Sequence, residues 1–492
     1  MSTIQVNNLS FKYDNAIQDV FKNVTFNIDT NWKLGLIGRN GKGKTTFLNL
    51  LLGKYKYQGS INKSVDCSYF PFEINNENKM TIEIINEIVP MVEDWQIIKE
   101  LNLLNFDIEC LYREFTTLSG GERVKALLAT LFLKENSFLL IDEPTNHLDI
   151  KSREEVIKYL KLKKGFILVS HDRNLLDRVV DHIISINNTN IDIQKGNFSS
   201  WKENKDRQDS FETIQNEKLK NDIERLEIAA QNTAKWSNSI EKTKYNTTNS
   251  GSSIDKGYVG HKSAKMMQAS KNIENRQKNA IQEKTQLLKN IDRADSLTIK
   301  PIEFNKNTLI YANDLQINYS KALFNKISFE VNNGDRIAIT GKNGSGKTSI
   351  LKLIIGDEVS YTGNINISNN LKISYVSQNT SNLKGTLRNY ALENNIDEGI
   401  FKAMLSKLGF SNTEFDKNIE EYSEGQKKKV LIARSITESS NIYIWDEPLN
   451  FIDIISREQI EEAILKYNPT MIFVEHDETF VNNIANKRIE LE

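Results

Sequence analysis

Short apolar runs recur along the chain in two matching sets. "KLGLI" from Lys33 and "RIAIT" from Arg336 each hold several consecutive apolar positions, the pattern of a strand buried on both faces. Each leads into a glycine-rich turn and then into "TTFLNLLL" or "TSILKLII", which predict helices. Two further strand-like runs, "FLLID" and "IYIWD", end in a carboxylate, and two more end in "LVSHD" and "FVEHD". Between the two sets the pattern changes: no proline or glycine occurs from Asn197 to Ser250 or from His261 to Lys300, while Gly251, Gly257 and Gly260 cluster between these stretches. That predicts helix, loop, helix. Leu219, Ile223, Leu226 and Ala230 recur at helical spacing, as do Met266, Ile273, Ala280 and Leu287, so the two helices can pack along an apolar seam. The first, from near Lys202 to near Lys242, would be about 60 Å long, and Pro301 would end the second.

The two sets are in register. Lys44 and Lys347 are 303 residues apart, Ser119 and Ser423 are 304 apart, Asp142 and Asp446 are 304 apart, and His171 and His476 are 305 apart. The chain is a tandem duplication around a helical insert.

With 492 residues, each half can bury its own core. Charged residues make up 26% with a formal net charge of -1, so whole-chain charge points to neither nucleic acid nor membrane. The two cysteines, Cys67 and Cys110, suggest no metal clip and fit a reducing cytoplasm. The N-terminus lacks a secretory pattern, and no apolar run reaches the roughly 18 residues needed to span a bilayer.

Both glycine-rich turns fit the phosphate-binding pattern G-x-x-x-x-G-K-[ST]. The first comprises Gly38, Asn40, Gly41, Gly43, Lys44, Thr45 and Thr46, the second Gly341, Asn343, Gly344, Gly346, Lys347, Thr348 and Ser349. Missing side chains let backbone N–H groups close on phosphates at a helix start, and the lysines neutralise the outer phosphates. Thr45 with Asp142, and Thr348 with Asp446, are expected to hold Mg2+. Glu143 and Glu447 follow those aspartates and are placed to polarise a water as general base, with His171 and His476 at the terminal phosphate or the water. Ser119, Gly120 and Gly121 open an amphipathic helical run, a second kind of phosphate-facing N-terminus.

The order of phosphate loop, "LSGGE", "LLIDEP" and "SHD" resembles the nucleotide-binding domain of ATP-binding cassette (ABC) proteins over nearly all of both halves. The resemblance implies an α/β fold: two tandem ABC-type P-loop ATPase domains, 1–200 and 301–492, joined by a long helical hairpin linker, 201–300, with its tip near 244–261. It implies head-to-tail pairing within a monomer, each phosphate loop meeting the other half's turn (Ser119 to Gly121, or Ser423 and Gly425) across ATP. Tyr13 and Tyr319 match the family's adenine-stacking aromatic, with ordinary packing the alternative for either. Gln378 in "YVSQNT" matches the glutamine that contacts metal and water, but its counterpart in "YFPFEI" is Phe72, which cannot ligand a metal. In "YSEGQ", Glu424 stands where a glycine usually meets phosphate, and its carboxylate is expected to repel nucleotide. Two unequal ATP sites follow, the faster being that of Lys347, Asp446, Glu447 and Gln378.

Paired ABC domains serve transporters with separate membrane subunits, chromosome and repair ATPases, and the soluble ABC-F group, whose interdomain hairpin enters the ribosome. The hairpin between two complete halves looks like the last, and from Gln231 to Asn290 eleven Lys/Arg against four Asp/Glu give a local +7. Within ABC-F, "DKGYVGHKSAKMMQASKNIENR", "YFPFEI" and "YSEGQKKKV" resemble the Lsa-type resistance proteins, with a housekeeping translation factor as the alternative. This implies a cytoplasmic factor that occupies the tRNA exit site of the ribosome, binds ribosomal RNA and P-site tRNA rather than membrane or DNA, and displaces lincosamides, streptogramin A and pleuromutilins. Lys242, Lys244, Lys256, His261, Lys262 and Lys265 are the expected RNA-facing linker residues; Tyr245 and Tyr258 either stack on bases or are surface tyrosines of a loop.

Overall fold

The computed structural model describes residues 2–14, 19–146, 148–187, 190–243, 296–319 and 323–491, together with scattered helical positions between 265 and 280; side chains of 230 and 233–243 are outside that description. The chain divides into two compact units, Met1–Trp201 with Ala294–Glu492, and Lys202–Arg293.

Within the first unit each half repeats one plan. A strand pairs antiparallel with two neighbours: Thr3–Phe11 with Phe21–Asp29 and Gln58–Lys63, and Thr308–Ile317 with Ile327–Asn332 and Tyr361–Ile367. These strands alternate buried and exposed positions, as a sheet with one covered face requires. Beneath lies a larger, mostly parallel sheet. In the first half its order is Asp66–Phe70, Ser137–Asp142, Phe166–Val169, Lys33–Ile37, His182–Asn187 and the antiparallel Asn190–Lys195. The second half runs Ile373–Val376, Ile442–Asp446, Met471–Val474, Arg336–Gly341 and Lys487–Leu491. The central strands Phe166–Val169 and Met471–Val474 are buried at every position, which explains their unbroken apolar runs.

This topology gathers the repeated chemistry of each half at the carboxyl ends of its parallel strands. Asp142 and Leu36 both pair with Val169, and Asp446 and Ile339 both pair with Val474, so each phosphate loop, carboxylate pair and histidine leaves neighbouring strands at their carboxyl ends. The halves share core as well: Ile454 of the second half is buried in the first half's main apolar cluster.

Most of a 46-residue helix, Phe198–Thr243, belongs to the second unit; it begins a few residues before the predicted start near Lys202. Leu219, Ile223 and Leu226 lie on its less exposed side, and Lys202–Asp206, Lys205–Asp209 and Glu203–Arg207 ion pairs one turn apart support its polar face. Lys265, Gln268, Lys271–Ile273, Asn275, Arg276, Asn279 and Ala280 are helical. Among the described residues, no helix is long and apolar enough to cross a membrane.

Candidate functional site: two paired phosphate loops

Gly43 and Gly346 are the N-caps of the helices Lys44–Leu51 and Lys347–Ile355, with φ of 96° and 93°. A Cβ at Gly43 would stand 2.7 Å from Val20, and one at Gly346 would stand 3.0 Å from Leu323, so conformation and space both call for glycine. Each loop then folds round its own lysine. Lys44 Nζ donates to the Gly38 carbonyl at 2.7 Å and, at 3.3 Å, to the Arg39 carbonyl and Asn40 Oδ1. Lys347 Nζ donates to the carbonyls of Gly341 and Lys342 at 2.9 and 2.8 Å. The two tyrosines are anchored alike: the Tyr13 and Tyr319 hydroxyls lie 2.8 and 3.2 Å from the hydroxyls of Thr46 and Ser349. Tyr13 also packs against Tyr55 and Phe11.

Glu143 and Glu447 have positive φ, 50° and 46°, a left-handed backbone that is uncommon outside glycine and is fixed here by N–H bonds to the carbonyls of Val169 and Val474. Both carboxylates approach the neighbouring histidine: Glu143 Oε1 is 3.3 Å from His171 Nε2, and Glu447 Oε1 is 3.5 Å from His476 Nε2. There the likeness ends. Burial, then the neighbouring Asp142 charge, pushes the Glu143 carboxyl up to about 8. Burial acts on Glu447 too, but His476 and the Gln378 amide outweigh it and bring that carboxyl down to about 2. Asn450 Nδ2 donates to Glu447 Oε2 at 2.6 Å.

The aspartates also differ. Tyr69 donates its hydroxyl to Asp142 Oδ2 at 2.9 Å, and this pushes the tyrosine's own pKa above the usual phenol range, after burial. Both oxygens of Asp446 are buried and, among the described residues, meet no hydrogen-bond donor at full hydrogen-bond geometry; burial raises its carboxyl to about 6, against the opposing pull of the nearby Thr348 hydroxyl. Phe72, opposite Gln378 in the repeat, packs on the apolar core with the Lys134 ammonium 4.9 Å from its ring.

Across the halves the first loop is shut against the second half. Asn40 Nδ2 donates to the Phe451 carbonyl at 2.7 Å, the Asn40 N–H is 3.4 Å from Asp453 Oδ2, and a Cβ on Gly425 would lie 2.7 Å from Asn40. Arg153 donates to the His476 carbonyl at 3.1 Å, and Arg173 pairs with Glu461. The second loop instead borders a cavity of about 460 Å³ lined by Tyr319, Asn343, Lys347, Thr348, Gln378, Glu447, His476 and neighbours, all from the second half. It adjoins a wider cleft of about 1460 Å³, in which Asp149 and Ile150 of the first half face Gly341 to Ser345.

Ser119 and Ser423 cap the helices Gly120–Phe132 and Glu424–Thr437 with reciprocal bonds to Glu122 and Gln426. Gly425 faces the first phosphate loop, whereas Ser119, Gly120 and Gly121 are not in the lining of the 460 Å³ cavity. The Glu424 carboxylate turns onto Thr380 and, at 3.2 Å, Lys427, within its own half; so the expected repulsion of nucleotide is partly met by local partners. Sequence reading missed Tyr69, Asn450, Phe451 and Asp453; the repeat of "NHLD" and "NFID" after the carboxylate pairs was the available signal for the last three. Among the linker residues, Lys242 is in the long helix and Lys265 is helical and exposed, while Lys244, Tyr245, Lys256, Tyr258, His261 and Lys262 lie outside the described residues.

Two glycine-rich loops at strand ends, each with a Lys, an Asp-Glu pair and a His, and one closed on the other half's capped turn, define a chain of two paired P-loop nucleotide triphosphatase cassettes. The ABC transporter family profile matches residues 21–146 and 324–450. The chain belongs to the ABC family, in its F group, and is an ATP hydrolase. It is 29% identical over 496 residues to the ribosome protection protein VmlR of Bacillus subtilis, covering 97% of this chain and 85% of that protein. It is 26% identical over 551 residues to ABC transporter F family member 2 of Arabidopsis thaliana, covering 100% and 76%. In fold it matches the archaeal ribosome recycling factor aABCE1, solved with the stalk protein aP1, at a TM-score of 0.62 and 19% identity, over 98% of this chain and 87% of that one.

Proposed function

We propose that this chain is a cytoplasmic, monomeric ABC-F factor that binds the tRNA exit site of the ribosome in its ATP form, contacts ribosomal RNA and P-site tRNA, and protects the peptidyl-transferase centre from lincosamides, streptogramin A and pleuromutilins. The observation that carries this reading is the end-to-end likeness to VmlR, which spans both cassettes and the segment between them. The +7 charge of residues 231–290 supports it, since phosphate-rich RNA attracts such a segment. The division into 1–200, 201–300 and 301–492 is part of the same reading.

In this reading ATP sits at the two loops, with Lys44 and Lys347 on its outer phosphates and Tyr13 and Tyr319 on its base. For Mg2+ the second site fits: Asp446 offers two buried carboxylate oxygens next to the Thr348 hydroxyl, and Thr348 and Gln378 line the same cavity. The ion, when bound with nucleotide, supplies charge neutralisation at the phosphates. In the first site Thr45 and Asp142 remain as donors, but one Asp142 oxygen already accepts from Tyr69 and Phe72 offers none. Glu447, ionised and steered by His476, Gln378 and Asn450, is the general base of the faster site; Glu143, held largely protonated, serves the slower one.

Replacing Asn246 to Gly257 with a short Gly-Ser turn tests the protection reading. Cells making the parent chain should tolerate a lincosamide or pleuromutilin, and cells making the variant should not, with ATP hydrolysis retained by the purified variant. Equal drug tolerance of the two strains would overturn it.

A further inference from the structure

Two consecutive lysines in the helix Glu424–Thr437 are buried, Lys428 at 2% and Lys429 at 3% exposure. An ammonium taken from water needs hydrogen bonds in exchange. Lys429 Nζ donates to Asp453 Oδ2 at 2.6 Å and to the Leu408 carbonyl at 2.7 Å. Since the Asn40 N–H approaches the same Asp453 oxygen, Lys429 belongs to the wall on which the first phosphate loop closes.

Lys428 points to the other ATP site. Its Nζ donates to the carbonyls of Ser377 and Glu447, each at 3.0 Å. Ser377 directly precedes Gln378, and the Glu447 carbonyl belongs to the residue whose left-handed backbone aims its carboxylate at His476. The corresponding position in the first half is Val124, which packs on the apolar core, so among the described residues the first site shows no such clamp.

We propose that Lys428 is a positioning residue that ties the turn closing on the first phosphate loop to the backbone of Gln378 and Glu447, so that engagement of the first ATP site sets the geometry for hydrolysis at the second. Ser423, Gly425 and Lys428 share one short stretch of helix, and a shift of the turn against Gly38 to Lys44 carries the ammonium with it. A buried donor that lets go of its acceptors loses their hydrogen bonds without regaining water, so Ser377 and Glu447 follow. Small displacements of a reacting group are enough: about 1 Å of misplacement can cost about a hundredfold in rate.

The inference rests on hydrolysis at the second site, and Glu447→Gln checks that separately: if the full chain turns over ATP undiminished with that change, the second-site reading fails, whatever Lys428 does. With it upheld, single-turnover hydrolysis is measured in the full chain for Lys428→Met, Lys44→Ala and the two combined. Lys428→Met should lower kcat about tenfold with KM for ATP within about twofold. Lys44→Ala, which weakens nucleotide at the first loop, should lower second-site kcat about fivefold alone and less than about twofold when Lys428 is already Met. Multiplying effects, or an unchanged kcat in Lys428→Met, would overturn the proposal. Thermal melting accompanies each variant; should Lys428→Met not fold, Lys428→Gln, which keeps a polar donor of shorter reach, carries the same cycle with the same two deciding outcomes.

Discussion

Glu447→Gln and Glu143→Gln remove the same carboxylate charge from the two halves, yet their consequences should differ by more than an order of magnitude. Glu447 is ionised throughout the physiological range, whereas the Glu143 carboxyl, raised to about 8, is mostly protonated at pH 7. Glu447 also has Asn450 at 2.6 Å and the Gln378 amide to orient it, while Phe72 stands opposite Gln378 in the first half. A positioned general base is worth about 10²- to 10⁴-fold. Its loss at Glu447 should therefore slow phosphate release in a single turnover by at least about a hundredfold, close to 2.7 kcal/mol on the barrier. Loss at Glu143 should change the whole-chain rate by less than about twofold, because the mostly protonated group carries only a minor share of the flux, below about a hundredth. The assay is rapid-quench hydrolysis of γ-labelled ATP with the chain in excess. Equal losses from the two substitutions would refute the reasoning, as would a larger loss from Glu143→Gln.

Two further predictions test the closed first interface and the loop geometry. Lys429→Met leaves the fully buried Asp453 carboxylate without its 2.6 Å partner and should cost about 3–5 kcal/mol of stability in denaturant unfolding, whereas a loss below about 1 kcal/mol would mean that Asp453 is not held by this pair. Gly346→Ala forces an L side chain to φ of 93° and against Leu323, a backbone penalty of about 1–2 kcal/mol, so ATP affinity at the second loop should fall about tenfold in equilibrium binding of a fluorescent ATP analogue. Unaltered affinity would show that the loop accommodates the side chain.

The parts of this molecule that depend on local spacing could be read from the sequence. Gly43 and Lys44, Asp142 and Glu143, and the paired His171 and His476 are fixed by runs of a few residues, and the repeat placed each with its counterpart. The departure at Phe72 was legible for the same reason. What spacing could not supply is which group a side chain turns to. Glu424 carries the charge expected to meet nucleotide, yet Thr380, 44 residues earlier, takes its carboxylate. Tyr69 reads as one more strand aromatic, and only parallel pairing of Asp66–Phe70 with Ser137–Asp142 brings its hydroxyl to Asp142. The bond from Asn40 to Phe451 spans 411 residues and exists because two halves pair, so no window of sequence contains it. Lys428 and Lys429 look like a solvated basic run; the helix that carries them is packed on both sides, and both ammonium groups face inward.

The central claim is action on the ribosome governed by two ATP sites, and cosedimentation tests it most directly. The Glu143→Gln, Glu447→Gln double variant, which binds ATP but is impaired in hydrolysing it, is centrifuged with ribosomes at moderate salt with and without ATP. The account predicts pelleting with ribosomes that requires ATP and weakens as salt is raised. A variant that binds ATP and stays in the supernatant with ribosomes present would contradict it.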